Sequence, residues 1–147
     1  DLFQKVLDVK VRGTYLCSKV VVTQLIKQGD GGKIVTVASS AGKKGAANAL
    51  AYNAANFAQV GITQSLAQEL GPYKINVNCV CPAAVDTSRM DRFGRGEEWE
   101  GMARKHPIGR AGTPEEVGDF MAYLCTEAAS WITGQSINID GGMVMEH

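Results

Sequence analysis

Ile34-Val35-Thr36-Val37-Ala38-Ser39-Ser40, a Gly/Ala-rich loop to about Leu50, and then Ala51-Tyr52-Asn53-Ala54-Ala55-Asn56 opening a long helix is the stretch that decides the fold. The β-branched run Lys33–Ala38 predicts a short strand covered on both faces. That strand delivers Ser39 and Ser40 at its carboxyl end. Tyr52 follows thirteen residues after Ser39, at the start of an alanine-rich helix, and Asn56 comes one helical turn later. A hydroxyl at a strand's end facing a phenol on a helix suits carbonyl chemistry. Ser39 can donate to a carbonyl oxygen while Tyr52 passes it a proton.

Working outward, residues 1–28 repeat apolar residues at helical spacing (Leu2/Phe3, Val6/Leu7, Tyr15/Leu16, Val20, Leu25/Ile26), with Gly13 a point of bending or close packing. Gly29–Gly32 stops this helix. The second helix covers about Ala51–Leu70 and ends at Gly71-Pro72. Lys74–Val80 alternates as a second strand, and Cys81–Thr87 is the loop at its carboxyl end. Residues 88–112 are polar and Gly-punctuated, with some helix. Thr113-Pro114-Glu115-Glu116 is a helix start with Thr113 as N-cap, Pro114 at N1 and Glu116 closing a capping box. That helix runs to about Cys125, and Ser136–Ile139 is a third strand. Strands alternating with helical crossovers predict an α/β fold with a parallel sheet. Three strands make a small parallel sheet with an open edge, and the chain starts at Asp1 inside a helix. Both features predict a piece of something longer.

Fifteen basic residues balance fifteen acidic ones, so no broad surface attracts a polyanion, and neither nucleic acid nor a membrane surface is an expected partner. No apolar run approaches the roughly 18 residues of a membrane span, and no signal peptide is visible. Cys17, Cys79, Cys81 and Cys125 lack metal-ligand spacing, so no metal is expected. They read as four buried thiols in a reducing, cytoplasmic setting. Gly94-Arg95-Gly96 follows no strand and reads as loop, and so does His106 before Pro107. Arg92–Lys105 reads as the solvated surface of a lid.

Ser39 followed by Tyr52 resembles the active-site signature of the short-chain dehydrogenase/reductase family, which continues Tyr-x-x-x-Lys. Further likenesses occur in order: Leu66–Leu70 leading to Ile75-Asn76-Val77-Asn78; Pro82–Thr87; Pro107-Ile108-Gly109-Arg110 with Thr113–Glu116; and Ile132-Thr133-Gly134-Gln135 leading to Asp140-Gly141-Gly142. The resemblance covers essentially all 147 residues but only the family's carboxyl-terminal half. It implies that 1–147 is the carboxyl-terminal half of one Rossmann-type, doubly wound domain, its three strands being the last of the sheet.

The same resemblance implies an NAD(P)-dependent oxidoreductase acting on small alcohols or carbonyls, assembled as a dimer or tetramer. The candidate catalytic set is Ser39, Tyr52, Asn56 and Lys10, and the candidate cofactor contacts are Pro82, Val85 and Thr87. Two positions depart from the family by exchange: Asn56 stands where the lysine belongs, and Lys10 where the family has an asparagine. Ala83 replaces the glycine after Pro82. The Gly-rich phosphate loop has no counterpart here, so weak or no binding of NAD or NADP is expected from these residues alone.

The exchange has a magnitude. A free phenol ionises near pH 10. A cation about 6 Å away, at an effective dielectric of about 20, favours its phenolate by roughly 2–3 kcal/mol. Asn56 can bond a ribose hydroxyl but supplies no such field, so alcohol oxidation is expected to lose about 100-fold on that account, and carbonyl reduction less. Two readings therefore stand: an incomplete or degenerate enzyme, and a catalytically silent subunit beside an active partner. Lys10 is either a solvated helix residue or a replacement cation reaching the site from the opposite wall.

Overall fold

In the computed structural model, which describes residues 1–145 apart from the side chains of Arg89, Arg92 and Phe93, Ile75–Pro82 (β2) lies between Gly32–Val37 (β1) and Ser136–Ile139 (β3), and both pairings are parallel. Ile34 sits opposite Val77, and Cys79 opposite Ser136. Side chains alternate across the sheet. Ile75 and Val77 therefore pack with Ala67 and Leu70 of Leu50–Leu70 (α3), alongside Val22 and Leu25 of Gly13–Gln28 (α2). Val80 turns to the other face and meets Leu124 of Pro114–Leu124 (α6), with Val117, Phe120 and Met121 around it. With helices on both faces, the sheet has two apolar layers and β2 is covered on both sides.

Here the structure departs from the expected alternating strand. β2 is buried along almost its whole length and runs through Pro82, two residues beyond the predicted end, because Cys81 and Pro82 pair with Asn138 and Ile139. Asn76 and Asn78 sit within it for a specific reason. The Asn76 amide donates to the Ser130 and Ile132 carbonyls at 3.0 and 3.2 Å, and the Asn78 amide donates to Ile132 at 2.8 Å. The Val77 N–H donates to the Thr133 hydroxyl at 3.0 Å, and the Gly134 N–H to the Val77 carbonyl at 2.7 Å. Ile132–Gln135 is thereby seated on β2 before the chain enters β3.

Residues 2–28 form one helical run with an irregularity just before Gly13. Leu2–Leu7 (α1) passes into a π turn over Asp8–Arg12, and α2 follows, closed by Gly29 in the left-handed conformation. Gly13 itself makes no tight contact, so the bend belongs to the turn rather than to the glycine. Between β2 and α6 lie two short helices, Ser88–Phe93 (α4) and Glu97–Arg104 (α5), whose charged residues Glu97, Glu98, Arg104 and Lys105 are exposed as a solvated lid requires. The side chain of Arg92, in the same stretch, lies outside the described residues. The cysteines divide: Cys79 and Cys81 are buried, but Cys17 and Cys125 are exposed, against the expectation of four buried thiols. Cys17 lies on a solvent-facing side of α2, and Cys125 is the cap residue just past the end of α6.

The capping box at α6 is present. The Glu116 N–H donates to Thr113 Oγ1 at 3.2 Å, and the Thr113 N–H returns a bond to Glu116 Oε2 at 2.8 Å. Arg110 adds a fork, with Nη1 and Nη2 2.8 and 2.6 Å from the two Glu116 oxygens. Arg110 first, and the Thr113 N–H second, hold the Glu116 carboxyl down at about 2 from an ordinary 4.5. A depressed carboxyl stabilises the fold above its unfolded value and loses that contribution as pH falls through the folded one. The Glu116→Gln protein is therefore expected to lose less thermal stability than the parent between pH 4.5 and 2. Melting curves at stepped pH check this.

Candidate functional site

Carboxyl ends of parallel strands share one edge of the sheet, and loops there form clefts. β1 ends below Ser39, whose extended backbone starts a 3-10 turn over Ser40–Gly42. Ser39 Oγ accepts from the Ala41 N–H at 3.2 Å, which fixes the oxygen and leaves its O–H free to donate outward. Ala38, Cys79 and Cys81 form a buried cluster at this end of the sheet. The turn lies hard against α3: a methyl group added at Gly42 would fall 2.8 Å from the Asn56 carbonyl oxygen. Buried Asn53 ties the loop down, its amide donating to the Ala41 and Lys44 carbonyls at 2.8 Å each.

Tyr52 stands in the first turn of α3 with its ring half exposed. Lys10 reaches towards it from the π turn. Its Nζ donates to Asn56 Oδ1 at 2.6 Å and to the Val37 and Ala38 carbonyls at 3.3 and 3.4 Å, and lies over the Tyr52 ring 5.8 Å from its centroid. Lys10 thus points inward, not into solvent. Asn56 is fully buried, with its amide oxygen on Lys10 and its nitrogen 2.8 Å from the Tyr52 carbonyl. An ammonium has no lone pair, so the amide must turn its oxygen to Lys10. Asn56 is therefore a buried anchor for Lys10 rather than a group presented to a ribose.

At the neighbouring strand end, Pro82–Thr87 leaves β2 and Val85 bridges Gly112 in parallel register. The Gly112 N–H donates to the Ala84 carbonyl at 3.0 Å, and the Asp86 N–H to the Gly112 carbonyl at 2.9 Å. In a parallel pair these bonds come from the flanking residues, so Val85's own N–H and C=O point the other way. Among the described residues neither has a backbone partner. One free donor and one free acceptor on a half-buried stretch of backbone can pair with a carboxamide, so this loop fits the nicotinamide end of a dinucleotide. Thr87 precedes α4 without capping it by its side chain. Behind the loop, buried His106 accepts from the Ala84 N–H through Nε2 at 3.4 Å while Nδ1 lies 3.0 and 3.1 Å from the Ala103 and Met102 carbonyls. Two acceptors at Nδ1 and a donor at Nε2 place the ring proton on Nδ1. His106 is a strut between α5 and the loop, not a free loop residue.

Ser39, Tyr52, Asn56 and Lys10 thus gather at the end of β1, and Pro82, Val85 and Thr87 line the adjacent strand end. Comparison with known proteins identifies the family. Residues 1–144 match the enoyl-(acyl carrier protein) reductase family model. A short-chain dehydrogenase/reductase of Armillaria gallica is 38% identical over 98% of this chain and 58% of its own length. The chain belongs to the short-chain dehydrogenase/reductase family.

Solved structures of this family superpose closely. Acetoin dehydrogenase from Salmonella typhimurium gives a TM-score of 0.86 at 36% identity, over 97% of this chain and 55% of that one. A 3-oxoacyl-[acyl-carrier protein] reductase from Brucella melitensis with bound NAD gives 0.89 at 31%, over 99% and 53%. This chain spans little more than half the length of the relatives it matches. Its three-stranded parallel sheet alternating with helices matches part of their Rossmann-like folds.

Asn53, Gly42 and His106 carry no readable signal in the sequence. Each acts through a partner that only the folded chain supplies, although an Asn at position 53 inside an alanine-rich helix is an oddity. Gly42→Ala is expected to destabilise the protein by about 1–3 kcal/mol, because the methyl must displace α3 backbone. Asn53→Ala is expected to cost about 1 kcal/mol by removing two hydrogen bonds to the loop's carbonyls. Denaturant unfolding midpoints measure both.

Proposed function

We propose that residues 1–147 are the carboxyl-terminal half of a single short-chain dehydrogenase-type Rossmann domain, and that the complete unit interconverts small alcohols and carbonyls with NAD or NADP. The observation carrying this reading is the Tyr52 ring beside the Ser39 strand end with a lysine ammonium 5.8 Å from its centroid. When bound, the nicotinamide supplies or takes up the hydride. Pro82, Val85 and Thr87 would hold its end of the dinucleotide, with Val85's backbone pair on the carboxamide. Ser39 donates its hydroxyl hydrogen to the substrate oxygen and fixes its direction. Tyr52 gives that oxygen a proton in reduction and removes it in oxidation. The substrate's remaining groups meet the α5 lid and the loop after Ser39.

Ser39→Ala and Tyr52→Phe are each expected to lower turnover by at least about 100-fold, with dinucleotide binding preserved. Dehydrogenase assays with a panel of small alcohols and ketones, beside NADH and NADPH titrations of the protein alone and with any co-purifying chain, test this. Turnover unchanged in Tyr52→Phe would defeat the reading. Asn56 at the family's lysine position favours a second one, a non-catalytic subunit beside an active partner. Substrate turnover only in the co-purified complex, insensitive to Tyr52→Phe, would establish it.

Assembly is part of the proposal. Leu2, Val9, Tyr15, Leu16, Val20, Val21 and Phe57 on the helical run 2–28 and on α3 expose apolar side chains beyond those given to the core. A dimer or tetramer through these faces covers them. Light scattering at micromolar concentration is expected to return a multiple of the chain mass, and a monomer would exclude this assembly.

A further inference from the structure

We propose that Lys10 is the positioning cation of this site: its ammonium, carried across by the π turn of the first helix, stabilises the phenolate of Tyr52. The inference rests on the reading of Tyr52 as the proton-transfer group and adds where the positive charge comes from.

Lys10 is in an uncommon position for a lysine. Among the described residues its ammonium meets no carboxylate within ion-pair distance, only three neutral acceptors: Asn56 Oδ1, the Val37 carbonyl and the Ala38 carbonyl. Those three oxygens, on α3 and at the end of β1, orient the group without cancelling its charge. The field is therefore left for the next polarisable group, the Tyr52 ring 5.8 Å away, whose hydroxyl becomes an anion when it gives up its proton.

Local helix geometry brings this about. A π turn holds one residue more than an α turn, so the helix after it is rotated by about 100° relative to the helix before it. The extra residue falls in Asp8–Arg12, around Lys10 itself. The altered hydrogen bonding is made good locally, with the Lys10 carbonyl accepting from the Gly13 N–H and from the Thr14 hydroxyl at 2.8 Å. Asn56 completes the arrangement. A lysine at position 56 would point a second ammonium at Lys10, whereas an amide oxygen gives Lys10 its shortest bond. The two exchanged residues are thus one device, with charge on the first helix and its acceptor on the third.

In reduction, the Tyr52 O–H bond breaks as its proton passes to the substrate oxygen, while the carbonyl carbon would be reduced by hydride that a bound nicotinamide would supply. The phenolate left behind faces Lys10. Oxidation starts from that phenolate and gains more from the cation.

The test needs neither cofactor nor substrate. Tetranitromethane nitrates phenolates, Tyr52 is 46% exposed, and the 49% exposed Tyr73 serves as an internal reference. Nitration at one fixed pH is followed by mass spectrometry of the two tyrosine-bearing peptides. Half exposure admits water, which screens the coupling, so Lys10→Met is expected to slow Tyr52 relative to Tyr73 by about fivefold. Lys10→Arg is expected to stay within about twofold of the parent, and Asn56→Lys added to Lys10→Met to restore the rate. Lys10→Gln, which keeps a donor for Asn56, repeats the measurement should the methionine variant not fold. An unchanged Tyr52-to-Tyr73 ratio in the neutral variants overturns the proposal. So does an arginine variant as slow as methionine, since shape rather than charge would then be at work. Because no turnover is read, failure here leaves the oxidoreductase reading standing, and loss of that reading leaves the nitration result unaffected.

Discussion

An ammonium that enters a protein must find acceptors, and much of this site depends on how Lys10 finds its own. Three protons are met by three oxygens, two from the frayed end of β1 and one from a side chain on α3. Each bond ties together elements that otherwise touch only through apolar contacts. The strand end that offers Val37 and Ala38 continues directly into Ser39, and the amide that offers Asn56 hangs one turn below Tyr52. The cation therefore sits at the junction of the two groups that would act on a carbonyl. Removing it would leave three inward-turned oxygens and no donor for them, a larger disturbance than the loss of one surface charge.

The sheet makes that junction possible. β2 is buried between helices on both faces and pairs in parallel with both neighbours, so the three carboxyl ends emerge on one side. Within the sheet, Asn76 and Asn78 grip the segment that leads into β3. The helices supply the walls, and His106 links α5 to the loop that follows β2. Rigid strand ends and a braced loop are what a site needs if donor positions are to be set before substrate arrives.

Most of the framework is legible in the sequence because it is written in short-range terms. The β-branched run at Ile34–Val37, the Gly29 and Gly71 helix stops and the Thr113–Glu116 box each state their structure within a few residues. The Ser39–Tyr52 spacing is legible for the same reason. The hidden part depends on contacts across the fold. Asn56 reads as an amide able to meet a ribose, but it is sealed behind Lys10, 46 positions earlier in the chain. Lys10 itself reads equally well as a solvated residue, since nothing local marks a π turn. Cys17 and Cys125 depart from expectation because a thiol's burial depends on where the folded chain places it.

The loop that leaves β1 divides into a fixed and a free portion. From Ser39 to Gly42 it rides so close on the α3 backbone that no side chain fits at its end, and Asn53 clasps the chain at Ala41 and again at Lys44. Beyond that second clasp, Gly45–Asn48 stands in solvent. Changes of length or bulk are tolerated only where backbone is not already spoken for, so diversity at the mouth of this cleft has one place to accumulate. A library designed to alter which molecules enter belongs at Gly45–Asn48. The chemistry below can be left untouched while the entrance is redrawn.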